Sequence, residues 1–511
     1  MKNHNLWVAL RAAFPNDLDE TAIETADAPA PLRYSWRDLD RGTAMLANLI
    51  DSLDLPPHSC VAVQTEKSVE ALMLYLAVLR AGHVYLPLNM AYQAGEVSYF
   101  IGNAEPAVVV CAGRSFGWIS QIAFAAGTRH VFTLDDDRRG TLLERAAYHP
   151  DTHTPALRKA GDLAAILYTS GTTGRSKGAM LTHGNLLSNA QVLNSYWGWQ
   201  SGDVLLHALP IFHVHGLFVA SHGALLSGSK MIWFAHFDAR AVVDRLPDAT
   251  VFMGVPTLYV RMLGEPGLTR DACRRMRLFI SGSAPLLIET FNDFRQRTGH
   301  TILERYGMSE TIMLTSNPYR PESARRGGTV GLPLPGVSVR VHSDAGALMH
   351  TGEIGGIEVK GPNVFKGYWR MPEKTADEFT TDLWFKTGDV GRIDDDGYLT
   401  LIGRSKDLVI SGGFNVYPAE VEAALNELPG VAESAVVGVP HPDFGEAVVA
   451  VLIPRPGAAL EEAAVIGAMK SRIANFKVPK RVFVLTELPR NAMGKVQKNL
   501  LREQHQGLFP P

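Results

Sequence analysis

Tyr168-Thr-Ser-Gly-Thr-Thr-Gly-Arg-Ser-Lys-Gly178 follows directly on the apolar run Leu163–Leu167. The run reads as a buried strand. The segment after it mixes glycines, hydroxyl residues and a lysine. Glycines let backbone N–H groups approach a phosphate, hydroxyls add donors, and lysine adds a mobile positive charge. Local chemistry therefore predicts a phosphate cradle fed by a strand. It is not the GxxxxGK[ST] loop of P-loop NTPases, because Ser176 precedes Lys177 and Gly178 follows it.

Working outward, the same strand-then-helix rhythm recurs. Strands are predicted at Cys60–Thr65, Pro106–Cys111, Val204–Leu209, Met231–Phe234, Thr250–Met253, Arg277–Ile280 and Thr301–Arg305. Helical spacing separates them at Ser68–Ala81, Asn185–Tyr196 and Pro285–Arg297. This alternation predicts mostly parallel sheets covered by helices. After about residue 325 the runs shorten, at Thr329–His342, Gly355–Lys360, Trp384–Thr387 and Tyr398–Ile402, which reads as a β-rich subdomain. The last hundred residues predict a small α+β domain. Its helices fall at Glu420–Leu428 and Ala463–Ile473, and its strands at Ala432–Val439 and Ala447–Ile453. The expected fold class is α/β. A large N-terminal domain (1–402) of helix-covered sheets plus the β-rich part precedes a small mobile C-terminal domain (403–511). The joint is expected at Gly403–Asp407. A chain of 511 residues is also too long for one core.

The formal net charge is -3, so no global basic field points to nucleic acid or an anionic membrane. Cys60, Cys111 and Cys273 lie far apart and suggest neither disulfides nor a zinc site. No apolar window is long enough for a membrane span, and the first residues lack a secretory pattern, so a cytoplasmic setting is expected. Between Lys470 and Arg502 nine Lys/Arg face one acid, Glu487. That run is either a solvated face or an approach for nucleotide or CoA phosphates.

Further motifs then appear in order. They are Ala208-Leu-Pro-Ile-Phe-His-Val-His-Gly216, Ser281-Gly-Ser-Ala-Pro285, Glu304-Arg-Tyr-Gly-Met-Ser-Glu-Thr311, Thr387-Gly-Asp389 and Gly403-Arg-Ser-Lys-Asp407. Ser411-Gly-Gly-Phe-Asn-Val-Tyr-Pro418 and Pro489-Arg-Asn-Ala-Met-Gly-Lys495 complete the set. Together with the 168–178 loop they resemble the adenylate-forming superfamily of acyl-CoA synthetases, peptide-synthetase adenylation domains and luciferases. The resemblance implies ATP, Mg²⁺ and coenzyme A as reactants and cofactors.

It also implies roles. Thr169, Ser170, Gly171, Thr172, Thr173, Gly174 and Lys177 would hold the phosphates, with Thr173 also close to the chemistry. Ser283, Ala284, Glu304, Arg305, Tyr306, Gly307, Met308 and Ser309 would surround the nucleotide. Glu310 would bind Mg²⁺, since a hard cation takes carboxylate and phosphate oxygens. Asp389 and Arg404 would meet the ribose. Lys495 would bridge the carboxylate and α-phosphate, where negative charge grows. Lys406 would be the hinge, and Gly412 and Gly413 would line the CoA arm. His213 and His215 would share a face on an extended segment, but no third ligand completes a metal site. By resemblance His213 stands beside the acid.

The stretches Gln64-Thr-Glu-Lys-Ser-Val-Glu-Ala71, Phe279–Leu286, Val359-Lys-Gly-Pro-Asn-Val-Phe-Lys-Gly-Tyr-Trp369 and Lys406–Asn415 are similar to bacterial malonyl-CoA synthetases. Malonate keeps one carboxylate ionised while the other reacts, and a buried carboxylate needs a cation. Arg261 is the first candidate and Arg277 the second. Ser281 joins the acid pocket, and Val214 and Met313 would flank the central carbon, with methylmalonate a side substrate. Three other readings stay open: a ligase for another small or aryl acid, an adenylation protein loading a carrier thiol, and a non-catalytic nucleotide sensor. Small-molecule partners are expected, with no nucleic acid or membrane.

Overall fold

Leu163–Thr169 and Lys177–Thr182 form an antiparallel hairpin in which Thr169 faces Lys177. The phosphate-loop segment therefore joins two paired strands. The computed structural model describes residues 2–26, 30–169, 176–343, 345–411, 414–491 and 494–509. Ser170, Gly171, Thr172, Thr173, Gly174, Gly412 and Gly413 lie outside the described residues.

The chain is α/β and divides into two compact units. The first comprises residues 1–338 and 360–383. The hairpin ends a six-stranded sheet whose order is His130–Thr133, Val108–Cys111, Cys60–Gln64, Val84–Pro87, Leu163–Thr169, Lys177–Thr182. All neighbours are parallel except the hairpin pair. A nine-stranded sheet holds Leu303–Tyr306, Leu278–Ser281, Val251–Gly254, Val204–His207, Lys230–Trp233 and Thr21–Thr25 in parallel, with antiparallel strands at both edges. The parallel strands read as continuous apolar runs because helices cover both faces.

Helix Val69–Arg80 shows how the sequence does this. Ser68 caps it by accepting from Ala71 N–H at 3.0 Å. Every residue of the helix is buried. Its last residue, Arg80, is tolerated there because Asp40 Oδ1 at 2.9 Å and the His153 carbonyl at 2.8 Å accept from its two terminal nitrogens. The thiols of Cys60, Cys111 and Cys273 are buried and unpaired with one another, and burial pushes each up to about 12.

The second unit comprises residues 339–359 and 384–511. It holds a four-stranded sheet, in the order Ser338–His342, Gly355–Lys360, Phe385–Ile393, Leu399–Arg404, and a five-stranded sheet centred on the long pair Val431–His441 and Gly445–Pro454. Helices Pro418–Asn426, Glu462–Lys470 and Lys498–His505 complete it. The four-stranded sheet of the β-rich stretch and the α+β stretch belong to this one unit. The run Thr329–His342 contains two strands. Leu332–Pro333 pairs with Thr315–Ser316, whereas Ser338–His342 joins the four-stranded sheet.

Most of the Lys470–Arg502 charge is spent inside the second unit. Arg472, Lys477, Arg481, Arg490, Lys498 and Arg502 pair with Glu427, Glu420, Glu462, Glu433, Glu422 and Asp407. The run is basic in sequence but largely compensated in space.

Candidate active site

In parallel sheets ligands gather where the strands end at their carboxyl edge. The motifs of the first unit fall there. Thr169 ends one strand, His207 precedes the 208–216 motif, Ser281 ends another, and Glu304, Arg305 and Tyr306 end a third. Arg277 lies before its strand begins, at the opposite edge. Its guanidinium Nε donates to Asp203 Oδ1 at 2.6 Å and Nη1 to the Trp197 carbonyl at 3.1 Å. Arg277 is thus a brace between loops and is not brought to the edge where the other residues meet.

On the phosphate side, Lys177 opens the returning strand. Its Nζ lies 3.2 Å from Glu378 Oε1 and 4.3 Å from the centroid of Tyr368. Gly178 has room for no side chain, since a Cβ would stand 2.9 Å from Ile166 and 3.3 Å from Trp369. Glu310 is buried, its Oε1 accepts from the Tyr368 hydroxyl at 2.8 Å, and its carbonyl accepts from Phe365 N–H at 2.7 Å. One anchored carboxylate suits Mg²⁺, which is held by one or two carboxylates plus substrate phosphates.

Glu304 and Arg305 are neighbours on a strand, so their side chains leave opposite faces. Glu304 Oε1 accepts from Leu286 N–H at 3.2 Å, and burial pushes its carboxyl up to about 8. Arg305 is 2% exposed, and burial pulls its guanidinium down to about 9. Among the described residues none of its three guanidinium nitrogens has a hydrogen-bond partner. The group lies over Gly282, where a Cβ would come within 2.5 Å of it. Ser283, next in the turn, adopts φ +72°, and its Oγ is 3.5 Å from His215 Nδ1. His215 is buried and held well below the ordinary imidazole range by burial and by Arg305. A buried cation without a partner costs several kcal/mol, of order, unless something completes it.

The 208–216 motif is not extended at its end. Val214 takes helical angles, His215–Ala220 is a π-helix, and Leu217 N–H donates to the His213 carbonyl at 3.0 Å. His213 and His215 therefore do not share one face as a strand would place them. His213 is half-buried and His215 fully buried. Met313 is held through its carbonyl by Asn189 Nδ2 at 2.8 Å and Asn363 Nδ2 at 3.0 Å. Arg261 is exposed on helix Pro256–Leu263, whose buried face is Leu258, Tyr259 and Met262.

In the second unit Asp389 and Arg404 are opposite one another on paired strands, with Arg404 Nε 2.9 Å from Asp389 Oδ1. Lys406 sits in the turn Ser405–Asp407, and burial beside Arg404 pulls its ammonium down to about 8. Lys495 is tied back to Asn491. Its N–H donates to Asn491 Oδ1 at 3.0 Å, its carbonyl accepts from Asn491 N–H at 2.9 Å, and Gly494 supplies φ +73°.

Tyr368, Asn189 and Asn363 were not among the residues expected from sequence. Tyr368 and Asn363 lie within the quoted 359–369 stretch, which marked the segment without marking its contacts. Arg305 was expected at the nucleotide, and its missing partner is visible only in three dimensions.

The pattern of the AMP-binding enzyme matches residues 13–369, and that of its C-terminal domain matches 420–495. The chain belongs to the AMP-binding enzyme family. It is similar to a malonate–CoA ligase of Arabidopsis thaliana, 35% identical over 87% of this chain and 77% of the relative. The ATP-bound crystal structure of MatB from Rhodopseudomonas palustris is 52% identical, covers 99% of this chain and 100% of its own, and superposes with a TM-score of 0.96. A benzoate CoA ligase from Burkholderia xenovorans is 25% identical with a TM-score of 0.88, covering 98% of this chain and all of its own. Among the described residues no helix is long and apolar enough to cross a membrane.

Proposed function

We propose that this protein is an AMP-forming malonate–CoA ligase. A malonate carboxylate oxygen attacks the α-phosphorus of ATP, and pyrophosphate leaves. The thiol sulfur of CoA then attacks the acyl carbon of malonyl-adenylate, AMP leaves, and the thiol proton is released. The observation that carries the choice of acid is Arg305. A buried guanidinium lacking a partner, beside Gly282 and the Ser283–His215 contact, is what a second carboxylate requires. Arg261, exposed on its helix, is the cation expected first from the sequence for that carboxylate. A monocarboxylate would leave Arg305 uncompensated. Likeness to the R. palustris protein along the full chain, and to the plant malonate ligase over 87% of it, supports the same reading.

The remaining roles are those the family resemblance implies, and the chemistry of the residue types supports them. His213, Val214 and Met313 bound the acid. Thr173 and the loop residues around it, with Lys177, meet the phosphates. Glu310 holds Mg²⁺, which screens phosphate charge when bound. Lys495 meets the negative charge that grows on the α-phosphoryl group. Asp389 and Arg404 hold the ribose, Gly412 and Gly413 border the CoA arm, and residues 403–511 turn about Lys406 between the two half-reactions. The buried thiols suit a reducing cytoplasm.

The test is CoA-dependent AMP release over malonate, methylmalonate, succinate, acetate and benzoate. Malonate should exceed the monocarboxylates by at least about a hundredfold in kcat/KM, the scale of a lost buried charge pair. Equal use of acetate or benzoate would overturn the assignment.

A further inference from the structure

Lys67 lies between strand Cys60–Gln64 of the six-stranded sheet and helix Val69–Arg80. Its Nζ donates to the His207 carbonyl at 2.7 Å and stands 3.0 Å from His207 Nδ1. The same ammonium sits 4.4 Å from the centroid of Trp233. His207 and Trp233 end adjacent strands of the nine-stranded sheet, with their rings 4.5 Å apart. One cation thus ties together the carboxyl edges of both sheets.

His207 is 1% exposed, and burial and Lys67 hold it well below the ordinary imidazole range. A neutral imidazole carries one N–H, and an ammonium can only donate. Nδ1 must therefore accept from Lys67, which puts the ring proton on Nε2. Nε2 then donates to the Gly216 carbonyl at 3.0 Å. Ser221 Oγ donates to the same carbonyl at 2.9 Å. Gly216 lies in the π-helix His215–Ala220 and is pressed against the chain, since a Cβ would come within 2.1 Å of the Pro210 carbonyl. The turn that follows His213 and Val214 is therefore pinned from behind, through the Gly216 carbonyl.

We propose that Lys67 is a positioning residue for the acid substrate, acting through His207 on the π-turn that sets His213 and Val214. This rests on the reading of those two residues as a wall of the acid pocket. The phosphate-side groups have other supports: Glu310 is held by Tyr368, and Lys177 lies beside Glu378. The effect should accordingly fall on the acid and spare ATP.

The experiment compares full-length Lys67→Met and Lys67→Arg with the unmodified enzyme, in steady-state kinetics for malonate and for ATP. Methionine keeps the stem over Trp233 and removes the donors. Malonate KM should rise about tenfold in Lys67→Met, with ATP KM within about twofold, the cost expected of a loosened wall. Lys67→Arg retains two donors and should recover most of the loss. Equal shifts in both KM values, an unchanged malonate KM, or identical behaviour of the two variants would overturn the proposal. If Lys67→Met does not fold by thermal melting, Ser221→Ala takes its place. It removes the other side-chain donor to Gly216 and should raise malonate KM in the same selective way. An unchanged value there also overturns the proposal. Unmodified enzyme that prefers acetate to malonate would overturn the reading of the pocket and this inference with it, before any variant is compared.

Discussion

The hydroxyl of Tyr368 donates a 2.8 Å hydrogen bond to Oε1 of Glu310, across 58 residues of sequence. Both side chains are buried, at 3% and 5% exposure. Phe365, three residues before Tyr368, holds the Glu310 backbone as well. The ring of Tyr368 also lies under the Lys177 ammonium. One aromatic residue thus supports two groups of opposite charge that the proposed chemistry needs side by side.

Tyr368→Phe keeps that ring and removes the hydrogen bond. A buried bond to a charged acceptor is worth about 1.5–3 kcal/mol, so kcat/KM for ATP should fall about 10- to 100-fold. The Mg²⁺ concentration for half-maximal rate should rise with it. A magnesium titration of the variant that matches the unmodified enzyme would show that Glu310 needs no such anchor.

Arg305→Met should act in two directions at once. Removing an uncompensated buried charge should raise the Tm of ligand-free protein. Removing the partner of the distal carboxylate should raise malonate KM by about a hundredfold or more, of order 3 kcal/mol. Melting curves and malonate kinetics on one preparation check both. A lower Tm, or an unaltered malonate KM, would place the carboxylate elsewhere.

Glu304 sets a pH dependence. Its carboxyl is raised from 4.5 to about 8 in the folded chain. Between those values the folded protein keeps a proton that the unfolded chain has lost, so stability falls as pH rises. The contribution is complete below about 4.5 and gone above about 8, at about 1.4 kcal/mol per pH unit as an upper scale. Glu304→Gln cannot ionise and should remove this slope. His83 and His183, lowered to about 4 by burial, slope the other way below their unfolded value and are common to both proteins. The check is the Tm difference between the two proteins from about pH 5 to about pH 8. A constant difference would refute it.

Lys495→Ala should reduce malonyl-adenylate formation by three orders of magnitude or so, as expected when charge stabilisation at the reacting centre is lost. Conversion of supplied malonyl-adenylate and CoA to malonyl-CoA should stay near normal. Equal loss in both half-reactions would argue against two separate arrangements of the chain.

The sheets were legible because their strands are short apolar runs with clear punctuation. Leu163–Leu167 and Val204–Leu209 were both placed within two residues. Pairing was less legible. Thr329–His342 looks continuous, but its two halves find partners in different sheets, and a one-dimensional pattern carries no partner. The same limit applies in the site. Asp203 takes up Arg277 from 74 residues away, so the arginine looked available until its neighbour was seen. Arg305 was readable as a motif residue, whereas its lack of a partner depends on Gly282 in a neighbouring strand's turn. Lys67 sat in a stretch that marked the subgroup, but its connection to His207 spans 140 residues and two sheets.

The uncompensated guanidinium of Arg305 also bears on how long the protein lasts. A ligand that binds only the folded state stabilises it by mass action. The folded chain carries a buried charge that it would be better without, and the proposed acid is what neutralises it. Cleavage by a protease that acts on transiently opened chain should therefore slow as malonate accumulates. Supply of the substrate would then govern the amount of enzyme as well as its rate, with no dedicated regulatory site.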